Sequence, residues 1–600
     1  MRFVWAVVAF VLATVLIGAG IAQRTIFMGP TEQRMELSVD EPTPYVLVDA
    51  DVLRAHTGLQ TLLVRGKGDI FVAYGRTDDM KAWLSDTAYD RVTLTKSGNP
   101  KTAHVDAQLP PAEGGETSGR SPVGSDLWLD SFADQDALVA EMQLPEGNGV
   151  LIARDGVQPA PSNILVSWAL DTRTPWAGPL MVAGGVLLAA GIVLYILGIR
   201  HQRRGRGPRR KGPGPLPETQ PITMPEHAEI AGVADADPGR AQRSLPPRRR
   251  LAIALPALAL TGVLATGCTA DSWPQFDGGT PTPTPSATVV TPENQKQPVV
   301  TQKQGQRIVG EIAATLADAD AALDASLAET RLTGAALAAR KTEYTLRSKI
   351  EDRDTTLLSP AGKVPILLPE ATESWPRNVL ALTAAEDETK PPVLVTMTQV
   401  DPWAAYRVTS MAEMPASGEF PQVAPAWLGT TRVPAESAFL SLPPAELAGA
   451  FSDFVDAGDK SEYAGDFDDV AGQLAKAVRD SRAAVVQKAA DAKADKTSKA
   501  EFKMTPADYE PLSLATLGSG AVVAVSVDDT QTVTPTNPDA VIRFGTDAQA
   551  KALTGATESS KGYITTYGIQ LFFAVPAQGS NQQIRLLAYH QDLLSVKVIK

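Results

Sequence analysis

The chain has 600 residues, 44% of them hydrophobic and 20% charged, with a formal net charge of −13 and a single cysteine, Cys268. That length exceeds one hydrophobic core and predicts about three or four domains, and the apolar content excludes a wholly disordered chain. The acidic balance argues against a nucleic-acid partner, and one thiol rules out an intrachain disulfide or a zinc site built on several thiolates.

The first element is an apolar run from Val4 to Ala22, behind Arg2. It has the length of a membrane-spanning helix, and its Gly18-Ala-Gly-Ile-Ala22 end also suits signal peptidase. Residues 1–23 are therefore read as a signal anchor or transmembrane helix. Residues 24–175 follow as an exported, β-rich domain. Tyr45–Val48, Thr61–Arg65, Asp69–Tyr74 and Arg91–Thr95 are short β-branched runs between turn residues. Gly147-Asn-Gly149 between Leu138–Leu144 and Val150–Ala153 predicts a hairpin. Asp79–Asp86 predicts a short helix, Pro110–Ser125 a loop and Asn163–Ala169 a last strand, together a β-sandwich or barrel.

Residues 176–199, WAGPLMVAGGVLLAAGIVLYILGI, carry no charge, and no soluble helix needs such a run. This is the second transmembrane helix. Arg200 to Arg250 then holds twelve Lys/Arg against five Asp/Glu, a net +7 that leaves −20 for the rest. Basic flanks stay in the cytoplasm, so residues 200–250 are expected inside and residues 24–175 outside. Pro, Gly and Arg dominate this loop without hydrophobic periodicity, which predicts disorder and contact with anionic lipid headgroups.

Arg248-Arg-Arg250 precedes a third apolar segment, residues 251–268, ending in Leu264-Ala-Thr-Gly-Cys268. A basic start, an apolar middle and small residues before cysteine resemble the signal and lipobox of bacterial lipoproteins, with Ala265 where Leu is commoner. The resemblance makes Cys268 a lipidation candidate. A third transmembrane helix explains the same residues, and both readings put everything beyond Cys268 outside. Residues 269–303, with Gly279-Thr-Pro-Thr-Pro-Thr-Pro285, form a Pro/Thr-rich tether.

Two α+β modules are expected after it. In residues 304–435, Ile308, Ile312, Leu316, Ala319 and Leu323 keep helical spacing, as do Leu332, Leu337 and Tyr344. Strands follow at Val379–Thr383, Val393–Met397 and Tyr406–Ala412. In residues 436–600, helices are marked by Leu447, Phe451, Phe454 and Val455 and by Leu474, Val478 and Val485. Strands are expected at Ala521–Val527, Ala540–Phe544, Ile569–Ala574, Ile584–Tyr589 and Leu594–Ile599. Helices leading into a long sheet resemble the NTF2-like or cystatin-like α+β cone, here in tandem. The whole layout is similar to uncharacterised membrane proteins and lipoproteins of the cell envelope of high-GC Gram-positive bacteria.

Catalytic signatures are weak. Val46-Leu-Val-Asp49-Ala-Asp51 has the Asp-x-Asp form of metal-dependent glycosyltransferases, but the pattern recurs at Asp235, Asp318 and Asp466 and lacks a nucleotide-binding fold upstream. The five histidines include no HExxH pair, and neither Gly-x-Ser-x-Gly nor Ser-x-x-Lys occurs in a convincing setting. Trp375, Trp403, Tyr406, Trp427, Phe572 and Phe573 are candidates to line the mouth of a cone, with core packing as the ordinary alternative. The expectation is a cytoplasmic-membrane protein, most of it extracytoplasmic, without cofactor or catalytic residues. It would bind or scaffold cell-wall polymer or another envelope protein beside membrane lipids. The alternative is an extracytoplasmic glycosyltransferase- or hydrolase-like enzyme acting on envelope glycan.

Overall fold

The computed structural model describes residues 2–204 and 296–600, apart from 28–29, 31, 40–42, 57, 110–118, 171–175, 354, 356, 361, 388 and 417. Cys268, the lipobox-like segment, most of the basic loop and most of the tether lie outside the described residues. The chain divides into two units, one around the apolar helices and one of Arg34–Trp168 with Val289–Lys600.

In the first unit, α1 (Arg2–Thr25) and α4 (Ala177–Arg204) are each long and apolar enough to cross a membrane. They pack antiparallel: Phe3 meets Tyr195 edge-on at 5.9 Å, while Gly20 lies against Met181. A side chain at Gly184 would stand 2.6 Å from Ile17, so glycine permits the close approach common between apolar helices.

The second unit begins with one mixed sheet in the order β1-β8-β3-β7-β2-β4-β5, with β6 also on β3. Its strands are β1 (Glu32–Leu37), β2 (Tyr45–Asp49), β3 (Gln60–Arg76), β4 (Tyr89–Leu94), β5 (Pro100–Val105), β6 (Asp130–Met142), β7 (Asn148–Ala153) and β8 (Asn163–Ala169). Helices α2 (Ala50–Leu53) and α3 (Thr77–Trp83) follow β2 and β3. All these strands belong to one sheet; β6 is an outer strand on β3, the Thr102 hydroxyl of β5 donates to the Ser38 carbonyl just past β1, and β1, β8, β2 and β4 share one core. The two strands expected at 61–65 and 69–74 are one strand, β3, whose register shifts between Arg65 and Asp69. The expected hairpin is also corrected: β6 pairs with β3, and β7 lies between β2 and β3. Strand alternation sends Val46 and Val48 to one core and Tyr45 and Leu47 to the other.

The remaining residues build a nine-stranded sheet, β13-β15-β18-β19-β12-β11-β10-β9, with β14 on β15. Helices α5 (Gln302–Ala322), α6 (Ala325–Glu329) and α7 (Gly334–Arg347) lead into β9 (Lys363–Pro369), β10 (Arg377–Ala384), β11 (Val393–Gln399) and β12 (Arg407–Glu413). Thr301 and Gln304 cap α5 reciprocally. Helices α8 (Pro444–Ala457) and α9 (Asp469–Asp491) precede β13 (Ser498–Pro506), β14 (Leu512–Ala515) and β15 (Ala521–Pro535). A small hairpin, β16 (Ile542–Arg543) with β17 (Glu558–Ser559), flanks α10 (Ala548–Thr554), and β18 (Tyr563–Val575) and β19 (Arg585–Val598) finish the chain. The strand expected over 540–544 shrinks to β16, and those expected at 584–589 and 594–599 merge into β19.

Helices α5–α7 pack on one face of β9–β12, and α8 and α9 on one face of the later strands. The opposite faces of both halves share a third core, in which Leu380 and Leu394 join Val522, Phe572 and Leu587. The halves are thus held by common burial as well as by the Glu413–Tyr589 bridge between β12 and β19.

A buried joint fastens the first sheet to this second one. Arg377, 1% exposed, donates to Asp79 at 2.6 Å and stacks on Trp375 at 3.8 Å. Asp126 accepts from Arg331 at 2.7 Å and from the Tyr406 amide at 2.6 Å. Burial pushes the Asp126 carboxyl above its usual range, with Arg331 pulling the other way. Trp403 donates its indole N–H to the Trp83 carbonyl at 2.8 Å, and Arg120 lies over both indoles.

Candidate functional site

Along the interface between α9 and the late strands, the packing changes character from one end to the other. At the start of α9, Leu474, Ala475 and Val478 fill a core with Val525, Ile569, Leu571 and Phe573. One turn on, Arg482 donates to Asp529 of β15 at 2.6 Å and to Asp456 of α8 at 2.7 Å. Beyond this ionic floor the interface opens into a cleft of about 700 Å³.

Its walls come from helix α9, the late strands and the α10 segment. Helix α9 contributes Val485, Val486 and Ala489, and the strands contribute Val533, Tyr563, Thr565, Tyr567, Leu593 and Val596. Tyr563, Thr565 and Tyr567 continue the odd-numbered face of β18 that carries Ile569 and Leu571 into the core, because side chains alternate along a strand. The remaining wall is the α10 segment, where Phe544 meets Tyr563 edge-on at 5.1 Å. Asp547 caps α10 through the Ala550 amide at 2.9 Å, and Gly555 ends it at φ +67°.

About half of the lining residues are polar, among them Ser498, Gln531, Gln549 and Thr565. The Tyr563 and Tyr567 hydroxyls have no hydrogen-bond partner among the described residues; burial first, then the Asp547 charge, raises both phenols. Lys488, Lys499, Arg543, Asp495 and Asp547 stand around the opening. Among the described residues no group of three or more His, Cys, Asp or Glu side chains could hold a metal ion. Chemically the cleft can take an apolar body and offer it two phenols and a mixed-charge rim.

The six aromatics expected at a cone mouth do not meet there. Phe572 and Phe573 are fully buried on opposite faces of β18, in the shared core and the α9 core. Tyr406 is buried in the core under α5 and α7. Trp375 and Trp403 both pack against the first sheet's core, at the joint. Trp427 alone is open, at 59% exposure, in a different cleft. The cleft's own aromatics, Phe544, Tyr563 and Tyr567, went unread, although Tyr563 and Tyr567 share strand parity with Ile569. Asp49 of the Asp-x-Asp pattern is held by Arg91 at 2.5 Å.

No curated protein and no solved structure matches the chain. The family described as Domain of unknown function (DUF8094) matches residues 296–597, half the chain and all of the cleft, and the chain belongs to that family.

Proposed function

We propose that this protein is a membrane-anchored, extracytoplasmic binding protein whose cleft takes the apolar body of an envelope amphiphile, such as a lipid acyl chain. The observation that carries the reading is the open end of the α9–sheet interface, where Val485, Val533, Phe544, Leu593 and Val596 stand beside two phenols without a hydrogen-bond partner among the described residues. Ligand sites are commonly concave, mostly apolar and several hundred Å³ in volume, with a few polar groups that fix orientation.

The location rests on separate grounds. Two antiparallel apolar helices with Arg200–Lys211 after the second support an outward placement of residues 24–175 by the positive-inside rule. Cys268, as a lipid acceptor or the outer end of a third helix, would keep residues 269–600 on the same side. Helices followed by a long sheet in each half of residues 304–600 support the NTF2-like or cystatin-like reading.

The test is thermal unfolding of the full chain in nanodiscs titrated with lauric acid. A ligand bound only by the folded state at 100 times its Kd adds about 2.7 kcal/mol, so the midpoint should rise. Ala489→Trp, which fills the cleft, should keep its own midpoint and lose that response. An unresponsive wild type, or an Ala489→Trp variant that responds equally, overturns the proposal.

A further inference from the structure

A second cleft, of about 730 Å³, lies where the first sheet meets the start and the 426–428 segment of the family domain. Arg76, Glu146 and Asn148 line it from one side, and Lys296, Gln297 and Trp427 from the other. Its two halves are fixed in place: the Arg76 guanidinium donates to the Pro298 carbonyl, and Lys303 pairs with Asp130 at 2.7 Å.

Two observations point to a ligand. Trp427 is 59% exposed within the unit, and its indole N–H has no partner among the described residues. Opposite it, Asn148 is 6% exposed, yet its side-chain amide makes no hydrogen bond among the described residues. That amide lines the cleft and keeps access to solvent, so a ligand group can bond to it in place of water. Gln297 and Lys296, without a partner among the described residues, add donors at the rim, and Glu146 adds an acceptor with Arg54 at 3.8 Å.

We infer that this cleft is a saccharide-binding site, with a pyranose ring stacked on Trp427 and its hydroxyl or acetamido groups bonded to Asn148. A flat apolar indole beside amide and carboxylate groups matches a sugar ring, which has one C–H face and an equatorial belt of donors and acceptors. The inference stands apart from the amphiphile cleft, which shares no residue with this one.

The experiment is saturation-transfer NMR and calorimetry on the full chain in nanodiscs with triacetylchitotriose, beside a pull-down with purified cell-wall polymer. Wild type should bind at least one. Soluble-sugar binding marks a free oligosaccharide site, and polymer binding alone marks a wall anchor. Trp427→Ala should weaken binding at least tenfold, Trp427→Phe should retain most of it, and Asn148→Ala should weaken it with the fold intact by circular dichroism. Binding to neither probe, or equal binding by wild type and Trp427→Ala, overturns the inference.

Discussion

The Asp79–Arg377 pair offers the sharpest test of the joint. Asp79 and Arg377 are 6% and 1% exposed, and the donor–acceptor distance is 2.6 Å. Removing one member of such a pair leaves the other buried and uncompensated, which costs about 3–5 kcal/mol. Arg76, whose Nε lies 3.8 Å from Asp79, would be stranded too if the carboxylate were lost. Replacing both members with apolar residues removes these two charges together, so only the stranding of Arg76 and the lost stacking remain. Loss of the Arg377–Trp375 stacking adds about 0.5–2 kcal/mol to any Arg377 variant. We therefore expect Asp79→Leu and Arg377→Met each to cost about 3–5 kcal/mol, and the double variant to cost far less than their sum. The assay is urea unfolding of the full chain in nanodiscs followed by tryptophan fluorescence, since Trp83, Trp128, Trp375 and Trp403 all lie at the joint. Single costs under about 1 kcal/mol, or a double variant at the full sum, would refute the buried-charge argument.

Three further outcomes are expected. Burial disfavours the charged form of His590, but Asp592, at 3.3 Å, and then Glu413 outweigh it and raise the imidazole above its ordinary 6.5. A raised folded-state value means stabilisation present below that ordinary value and lost as pH climbs through the folded one. The urea-midpoint gap between wild type and His590→Gln should thus be widest at about pH 6 and close by about pH 9, and a gap that widens upward contradicts the pairing. Phe573, which touches Phe451 and Phe467 in the α9 core, should lose about 3–5 kcal/mol as Phe573→Ala; a change below about 1 kcal/mol in a urea titration would show the core is misplaced. For orientation, Asp134→Cys and Lys499→Cys in a Cys268→Ser background should react with an impermeant maleimide on intact spheroplasts. Labelling only after lysis would reverse the topology.

Much of this fold is legible in the residues, and the failures have physical causes. Helices α5, α8 and α9 announce themselves because their apolar residues recur at helical spacing on one buried face. The hairpin at Gly147 misleads because β7 is buried along its whole length, as suits a central strand, and a turn signal says nothing about which strand lies alongside. Adjacent Phe572 and Phe573 could not both face one pocket on a strand, so alternation alone would have separated them. The joint is illegible for another reason: Asp79 and Arg377 are 298 positions apart, and no local pattern couples them. The cleft shows itself only once α9 diverges from the sheet beyond Arg482.

An apolar chain in the α9–sheet cleft would lie within reach of a photoreactive group carried on that chain. The most direct measurement is photolabelling of the full-length protein in nanodiscs with a diazirine-bearing fatty acid, followed by mass-spectrometric mapping of the modified residues. The account predicts label on the α9 stretch 485–492 and the β18 stretch 563–567, displaced by excess lauric acid. Label confined to α1 and α4, or spread without displacement, would contradict it.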